Sequence, residues 1–335
     1  MFLPHQPEIV DKVSLRTPGT SPLVSSQRTA PAGSLFAQIW WLEAAAGKSL
    51  EWANVIWDGS TVARLAFVRE SRWGLTTLSM PPFTRTLDPL LQLPASNAAR
   101  HSRNAQKVTH ELIRALPPHD KFQYTLTPES PSAFAMSLAG CTIGENFTFR
   151  SSPDSSLEEK WKGLDPKTRN LIRTAGDRLS ITPNGSIEDV IELSRQHRQD
   201  SYQNDDNALR RIALAASAAC QAVTLAARDT SGRCAGAATL VWDSAVLYYW
   251  QASIDRSISG CSNLLVWESM KFAHAMGRVF DLDGFHSESS ARFTASFGFP
   301  AVARPTVIHL SQRGRYLQAA GRLLGRGQSI GVPPL

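Results

Sequence analysis

The stretch SAFAMSLAG, residues 132–140, lies over SARFTASFG, residues 290–298, with the Ser-Ala start and the final Gly in register at an offset of 158 residues. The order of elements around that match repeats as well. A chain that reads twice has few folds open to it, namely one layered unit built two times over. The first reading starts with a helix at LFAQIWWLEAAAG (35–47), whose last residue suits a C-cap. Strands EWANVIW, TVARLAFV and LTTLSM follow, the first two joined by the turn Asp58-Gly59, and the third runs into PPFTRTLDP. Next come helix SRNAQKVTHELIRAL, strand KFQYTLT, helical SAFAMSLAG and a closing strand NFTF. After the helical stretches IEDVIELSRQHRQDS and ALRRIALAASAA, the second reading gives strands QAVTLAAR, CAGAATLVW and AVLYYWQAS and the loop IDRSISGCS. Helix NLLVWESMKFAHAMG, strand RVFDLDGF, helix SSARFTASFG and strand PTVIHL complete it. The fold expected is α/β (α+β): two tandem domains at 34–150 and 151–310, each a mixed, mainly antiparallel sheet flanked by helices. Residues 1–33 are expected to be a flexible segment and 311–335 a basic helix or tail.

With 42% hydrophobic and 19% charged residues, the 335-residue chain is able to bury a sizeable core. Its net charge of +6 is uneven. Residues 301–335 hold Arg304, Arg313, Arg315, Arg322 and Arg326 and no acid, so the body is close to neutral, which weakens the case for a large nucleic-acid surface and leaves the basic end as a solvated tail or a contact for phosphate or an anionic membrane. The four cysteines show no C-x-x-C spacing, which argues against a disulfide scaffold or a zinc site and for a reducing cytosol. Residues 1–34 are rich in Pro, Ser and Thr with no apolar core of a leader, and no stretch approaches the roughly 18 apolar residues of a membrane span.

The second reading carries two aspartates where the first has Gln123 and Thr125. In FDLDGFHSESS, alternation puts Asp281 and Asp283 on one strand face, opposite Phe280 and Leu282. A strand covered on both faces cannot bury an unpaired carboxylate, which would cost several kcal/mol by rough estimate. Two solutions stand open. Either Asp281 pairs with a buried arginine while Asp283 caps the following turn, or both line a cleft together with Gly284 and His286, whose imidazole titrates near neutral pH.

The loop ending in Ser259, Gly260, Cys261, Ser262 and Asn263 opens a helix, and its unpaired N–H groups make a seat for phosphate or carboxylate, or simply an N-cap. Cys261 reads as a small filler rather than a nucleophile, for want of a paired base. Just before the loop, alternation puts Tyr249 and Gln251 on one face, and a tyrosine at a cleft can protonate a leaving group. In DPKTRNLIRTAGDR, Lys167, Arg169 and Arg173 either decorate a solvated helix face or grip an anionic substrate, Arg169 and Arg173 standing one turn apart. No G-x-x-x-x-G-K-[ST], G-x-S-x-G, H-E-x-x-H or helix-opening G-x-G-x-x-G occurs.

The repeated order, together with KTRNLIRTAGDRL, LYYWQASIDRSISGCSNLLVWESMKFA and FDLDGFHSESSARFTASFGF, resembles the tandem GNAT-type fold of the FemAB-like acyltransferases over about residues 34 to 310. WWLEAAAG and LSMPPFTRTLDP in the first reading are similar to family patterns too. The family's phosphate loop, Gln/Arg-x-x-Gly-x-Gly/Ala, is not met: after Arg256 the first Gly comes one place late, at Gly260, and Ser262 takes the next small position.

This resemblance implies a degenerate first domain and a catalytic second one. It also implies a metal-free N-acyltransferase that takes an acyl group, acetyl first of all, from acyl-CoA. The acceptor would be an amine of a small molecule or of a cell-envelope or polysaccharide precursor, in the cytoplasm and without integral membrane contact. Aminoacyl-tRNA is the alternative donor; a non-catalytic scaffold or nucleic-acid-binding module is the alternative of another kind. The implied roles are Asp283 or Asp281 as proton acceptor, Tyr249 or His286 as proton donor, and Gln251 with 259–263 around the donor.

Overall fold

In a computed structural model of the chain, which describes residues 34–197, 205–284 and 287–323, both readings become strands of one sheet. A single 3-10 turn at Leu35–Ala37, capped by the Ser34 hydroxyl, leads into α1 (Ile39–Ala46). β1 (Leu50–Trp57), β2 (Ser60–Arg72) and β3 (Leu75–Ser79) form an antiparallel meander, with Asp58 and Gly59 at positive φ in its first turn. The two-residue β4 (Leu90–Leu91) pairs with β2. Helix α2 (Ala98–Arg114) carries the chain to β5 (Lys121–Thr125), parallel to β3, then α3 (Ser132–Leu138) and β6 (Thr142–Ser151) follow.

Helices α4 (Leu157–Gly163) and α5 (Pro166–Gly176), strand β7 (Leu179–Thr182) and helices α6 (Ile187–His197) and α7 (Asp206–Ala218) come between the readings. The meander then recurs as β8 (Ala222–Asp229), β9 (Cys234–Trp242) and β10 (Val246–Ile254). α8 (Cys261–Ala275), β11 (Val279–Asp281) parallel to β10, α9 (Glu288–Ala295), β12 (Ala301–Leu310) and α10 (Gln312–Leu323) close the described chain.

The closing strands are exchanged. β6 pairs with β11 through Phe280↔Ser151 and Asp281↔Arg150, while β12 pairs with β5 from Thr306↔Thr125 to Leu310↔Lys121. β6 and β12 also pair with each other, so the sheet runs β1-β2-β3-β5-β12-β6-β11-β10-β9-β8-β7. Each meander's open edge, at β5 and at β11, is thereby covered by the strand that ends the other reading, which removes an unpaired ladder from solvent. The boundary expected at 150/151 falls inside β6.

The cores follow the two faces of β10 and β11. On one, Tyr248 and Trp250 pack with Phe36 and Trp41, ring centroids 4.7 and 5.4 Å apart for Phe36–Tyr248 and Trp41–Trp250. On the other, Phe280 and Leu282 pack with Leu264, Leu265 and Met270 of α8.

Candidate functional site

β10 and β11 part. They are paired only from Val246↔Val279 to Tyr248↔Asp281, whereas β10 runs on to Ile254, so among the described residues no strand partners that edge of β10 beyond Tyr248. At the same point the register with β9 slips: Tyr249 faces Leu240 and Gln251 faces Thr239, leaving Trp250 as the extra residue of a bulge. Leu240 and Thr239 are successive residues, so their partners point to opposite faces. Tyr249 joins the α8 core, 6.4 Å from the Phe280 ring. Gln251 therefore turns to the other face, away from α8. The common face expected for Tyr249 and Gln251 is not found, because the bulge inverts the alternation.

On the face away from α8, Asp281 accepts from Arg304 Nη2 at 2.8 Å, Arg150 Nε at 2.7 Å and the Thr148 hydroxyl at 2.6 Å. Its side chain is fully buried. Burial pushes the Asp281 carboxyl up, but Arg304 and Arg150, helped by Thr148, outweigh it and hold the group below the usual carboxylate range. Burial likewise opposes the charge on Arg304, yet Asp281 and Asp283 raise its pKa further. Asp283, at φ +69°, donates its own N–H to Asp281 Oδ1 at 2.9 Å and takes Arg304 Nη1 at 3.0 Å.

Arg85 arrives from the loop after β3. Its Nη2 donates to the Trp250 carbonyl at 2.6 Å and its Nε lies 2.9 Å from Asp283 Oδ2, so one guanidinium ties both sides of the parting. The Trp250 indole donates back to the Phe83 carbonyl at 3.1 Å, with Phe83 at φ +60°. Strained non-glycine backbone thus stands at both ends of the Arg85 bridge.

Of the two solutions open for the pair, a cleft lined by both acids is not what forms. The two acids share a face and share Arg304, as alternation requires, but that face is opposite to α8. Asp281 takes the paired-arginine solution and has no access to solvent. Asp283 keeps 15% of its side-chain surface exposed.

Across the sheet, Tyr249 and the α8 start lie together. Burial, with Cys261 adding, holds the Tyr249 phenol well above its ordinary value, so it stays protonated. Gly260, at φ +82°, caps α8 with no side-chain hydrogen bond, and a Cβ there would lie 2.5 Å from the Leu171 carbonyl, so α5 seats directly on the turn. Ser259 is exposed and its carbonyl accepts from Arg178, while Ser262 is half-buried and Asn263 buried. Cys261 is buried, donates to the Ala235 carbonyl at 3.4 Å and has its thiol pushed up to about 12 by burial, which fits a filler.

Arg169 does not face outward with Arg173. Its Nη1 donates to the carbonyls of Trp161, Lys162 and Leu164, closing the end of α4, while Arg173 lies over the Trp161 ring at 5.3 Å. Lys167 and Arg173 are exposed. His286 lies outside the described residues.

Sequence reasoning missed Arg85, Arg150, Arg304 and Thr148; a charged residue inside the apolar run of β12 was the one available signal. A cavity of about 460 Å³ is lined by Glu188, Ile191, Glu192 and Arg195 of α6, a helix that packs on β9 and β10. Among the described residues no His, Cys, Asp and Glu cluster is arranged to hold a metal, and no helix is long and apolar enough to cross a membrane.

Residues 167–287, which span α5 to the start of α9, match a family model described as an acetyltransferase (GNAT) domain. That segment is thus a GNAT-type acyltransferase domain. Within that class its fold is the FemAB-like one that the sequence resembles. The chain is similar to a crystal structure of FemX, with a TM-score of 0.62 and 11% identity over 86% of this chain and 95% of that one. It is also similar to L-PGS from Bacillus licheniformis, with a TM-score of 0.52 and 10% identity over 85% and 92%. A conserved protein of unknown function from Bacteroides thetaiotaomicron gives a TM-score of 0.51 and 10% identity over 81% and 91%. No curated protein matches the chain.

Proposed function

We propose that the chain transfers an acyl group from acyl-CoA to an amine across the parting of β10 and β11. The observation that carries this is the parting itself: two parallel strands separate at Tyr248 and Asp281, beside a bulge and a helix start without a side-chain cap, within the segment that matches the GNAT domain. The two faces divide the work. The donor enters on the α8 face, its phosphates toward the N–H groups of Ser262 and Asn263 with Ser259 and Gly260 alongside, and its acyl carbonyl against the unpaired edge of β10. The amine enters on the Asp283 face.

The amine nitrogen attacks the thioester carbon, and a backbone N–H of Tyr249 to Ser253 holds the oxyanion. The ammonium proton passes, through water, to Asp283. The C–S bond then breaks and the leaving sulfur takes the Tyr249 proton. Asp281 has a positioning role, since it fixes Arg304 and through it Asp283.

A second reading takes the acyl group from aminoacyl-tRNA. Exposed Lys167 and Arg173 on α5, the helix seated on the α8 start, favour it, as does the departure of 256–262 from the family's phosphate loop. The structural likeness to FemX and L-PGS gives it further, coarser support. Thermal-shift titration of the full chain with acetyl-CoA, longer acyl-CoAs and tRNA separates the readings. Ligand at about 100 times its Kd adds roughly 2.7 kcal/mol to stability. A saturable rise in Tm with an acyl-CoA supports the first reading, a rise with tRNA alone supports the second, and no rise with any of them overturns both.

A further inference from the structure

We propose that Arg85 and Arg150 recognise an anionic group, a carboxylate or a phosphate, carried by the acceptor amine. This deepens the acyl-transfer reading and rests on it only for the name of the acceptor. The cluster on the Asp283 face holds three guanidiniums, Arg85, Arg150 and Arg304, against two carboxylates, Asp281 and Asp283. One positive charge is left without a partner inside the network, a state that costs free energy until an anion joins it.

The surplus is placed where a ligand can reach it. Arg304 spends both terminal nitrogens on Asp281 and Asp283. Arg85, only 8% exposed, uses Nη2 on the Trp250 carbonyl, while its Nε, though 2.9 Å from Asp283, makes no aligned hydrogen bond. Arg150 uses Nε on Asp281, and its side chain is 20% exposed. Among the described residues, Nη1 of Arg85 and both terminal nitrogens of Arg150 have no acceptor. Buried guanidinium with unused donors beside the parting is a fork for a bidentate anion. Arg85 comes from the first reading and Arg150 from the exchanged strand, so the first half of the chain supplies specificity to the site in the second.

Isothermal titration of the full chain at fixed ionic strength, with chloride as the competing anion, tests this with acetate in one arm and inorganic phosphate in the other. One of the two is expected to bind saturably, and Arg85→Met and Arg150→Met are each expected to weaken it about tenfold or more. Arg85→Lys, which keeps the charge without the fork, is expected to fall between. Should Arg85→Met fail to fold, Arg150→Met carries the test, since it leaves Asp281 with Arg304 and Thr148. No saturable binding of either anion, or binding that both substitutions leave unchanged, overturns the inference. Acetyl-CoA binding without anion binding overturns this inference and leaves acyl transfer standing; anion binding with no acyl donor does the reverse.

Discussion

Arg304 on β12 reaches past β6 to set Nη2 2.8 Å from Oδ1 of Asp281 on β11, two strands away in the sheet. The pair spans the exchanged strands, and it locks the centre of the molecule where the two meanders meet. Removing Arg304 leaves the fully buried Asp281 with Arg150 and Thr148 alone and takes Nη1 from Asp283.

Arg304→Met is therefore expected to destabilise the fold by about 3–5 kcal/mol, read as a lower midpoint in urea unfolding. Asp281→Asn, which keeps shape and some hydrogen bonding, is expected to cost less. A loss under about 1 kcal/mol for Arg304→Met would mean that the network is not a structural lock.

Tyr249→Phe removes a hydroxyl and little packing. Turnover with acetyl-CoA is expected to fall about a hundredfold, in the range of a lost general acid, while KM for the donor and the Tm stay close to wild type. An unchanged kcat would take Tyr249 out of the chemistry.

Gly260→Ala meets two penalties, a positive φ of +82° and the Leu171 carbonyl 2.5 Å from the new methyl. Stability is expected to drop by about 1–3 kcal/mol, with weaker acyl-CoA binding in the fraction that stays folded, both seen in one thermal-shift series.

At the end of β12, His309 Nδ1 donates to His119 Nε2 at 2.9 Å, while His119 Nδ1 donates to the Pro117 carbonyl at 2.8 Å. Burial, then His119 and Arg315, lower the His309 pKa, so the folded chain keeps that ring neutral. The unfolded chain binds the proton more readily. The stability from His309 is thus present above the ordinary histidine value of about 6.5 and is lost as pH falls through and below it. Tm measured from about pH 8 to 5 is expected to fall on the acid side, and His309→Phe to flatten that slope.

The order of elements was legible because each meander carries its own turn signals, and KFQYTLT and RVFDLDGF stand as β5 and β11 at the offset set by the two short helices. Alternation correctly set Asp281 opposite Phe280 and Leu282. It failed at Tyr249 and Gln251, where a single bulge residue, Trp250, inverts the pattern without a local sequence mark. The partners of Asp281 were out of reach because strand exchange is a long-range choice between two similar edges, and it decides whether the strand of Arg150 or that of Arg304 lies beside Asp281. Helix α4, with its Ser156–Glu159 capping box, was overlooked, and with it the reason Arg169 turns inward to cap that helix.

Hydrogen–deuterium exchange with and without acetyl-CoA measures where the donor sits. The account predicts new protection in Tyr249 to Ile254 and in 255–263, on both sides of the bulge and the α8 start. Protection confined to the α6 cavity, with β10 and the α8 start unchanged, would contradict it.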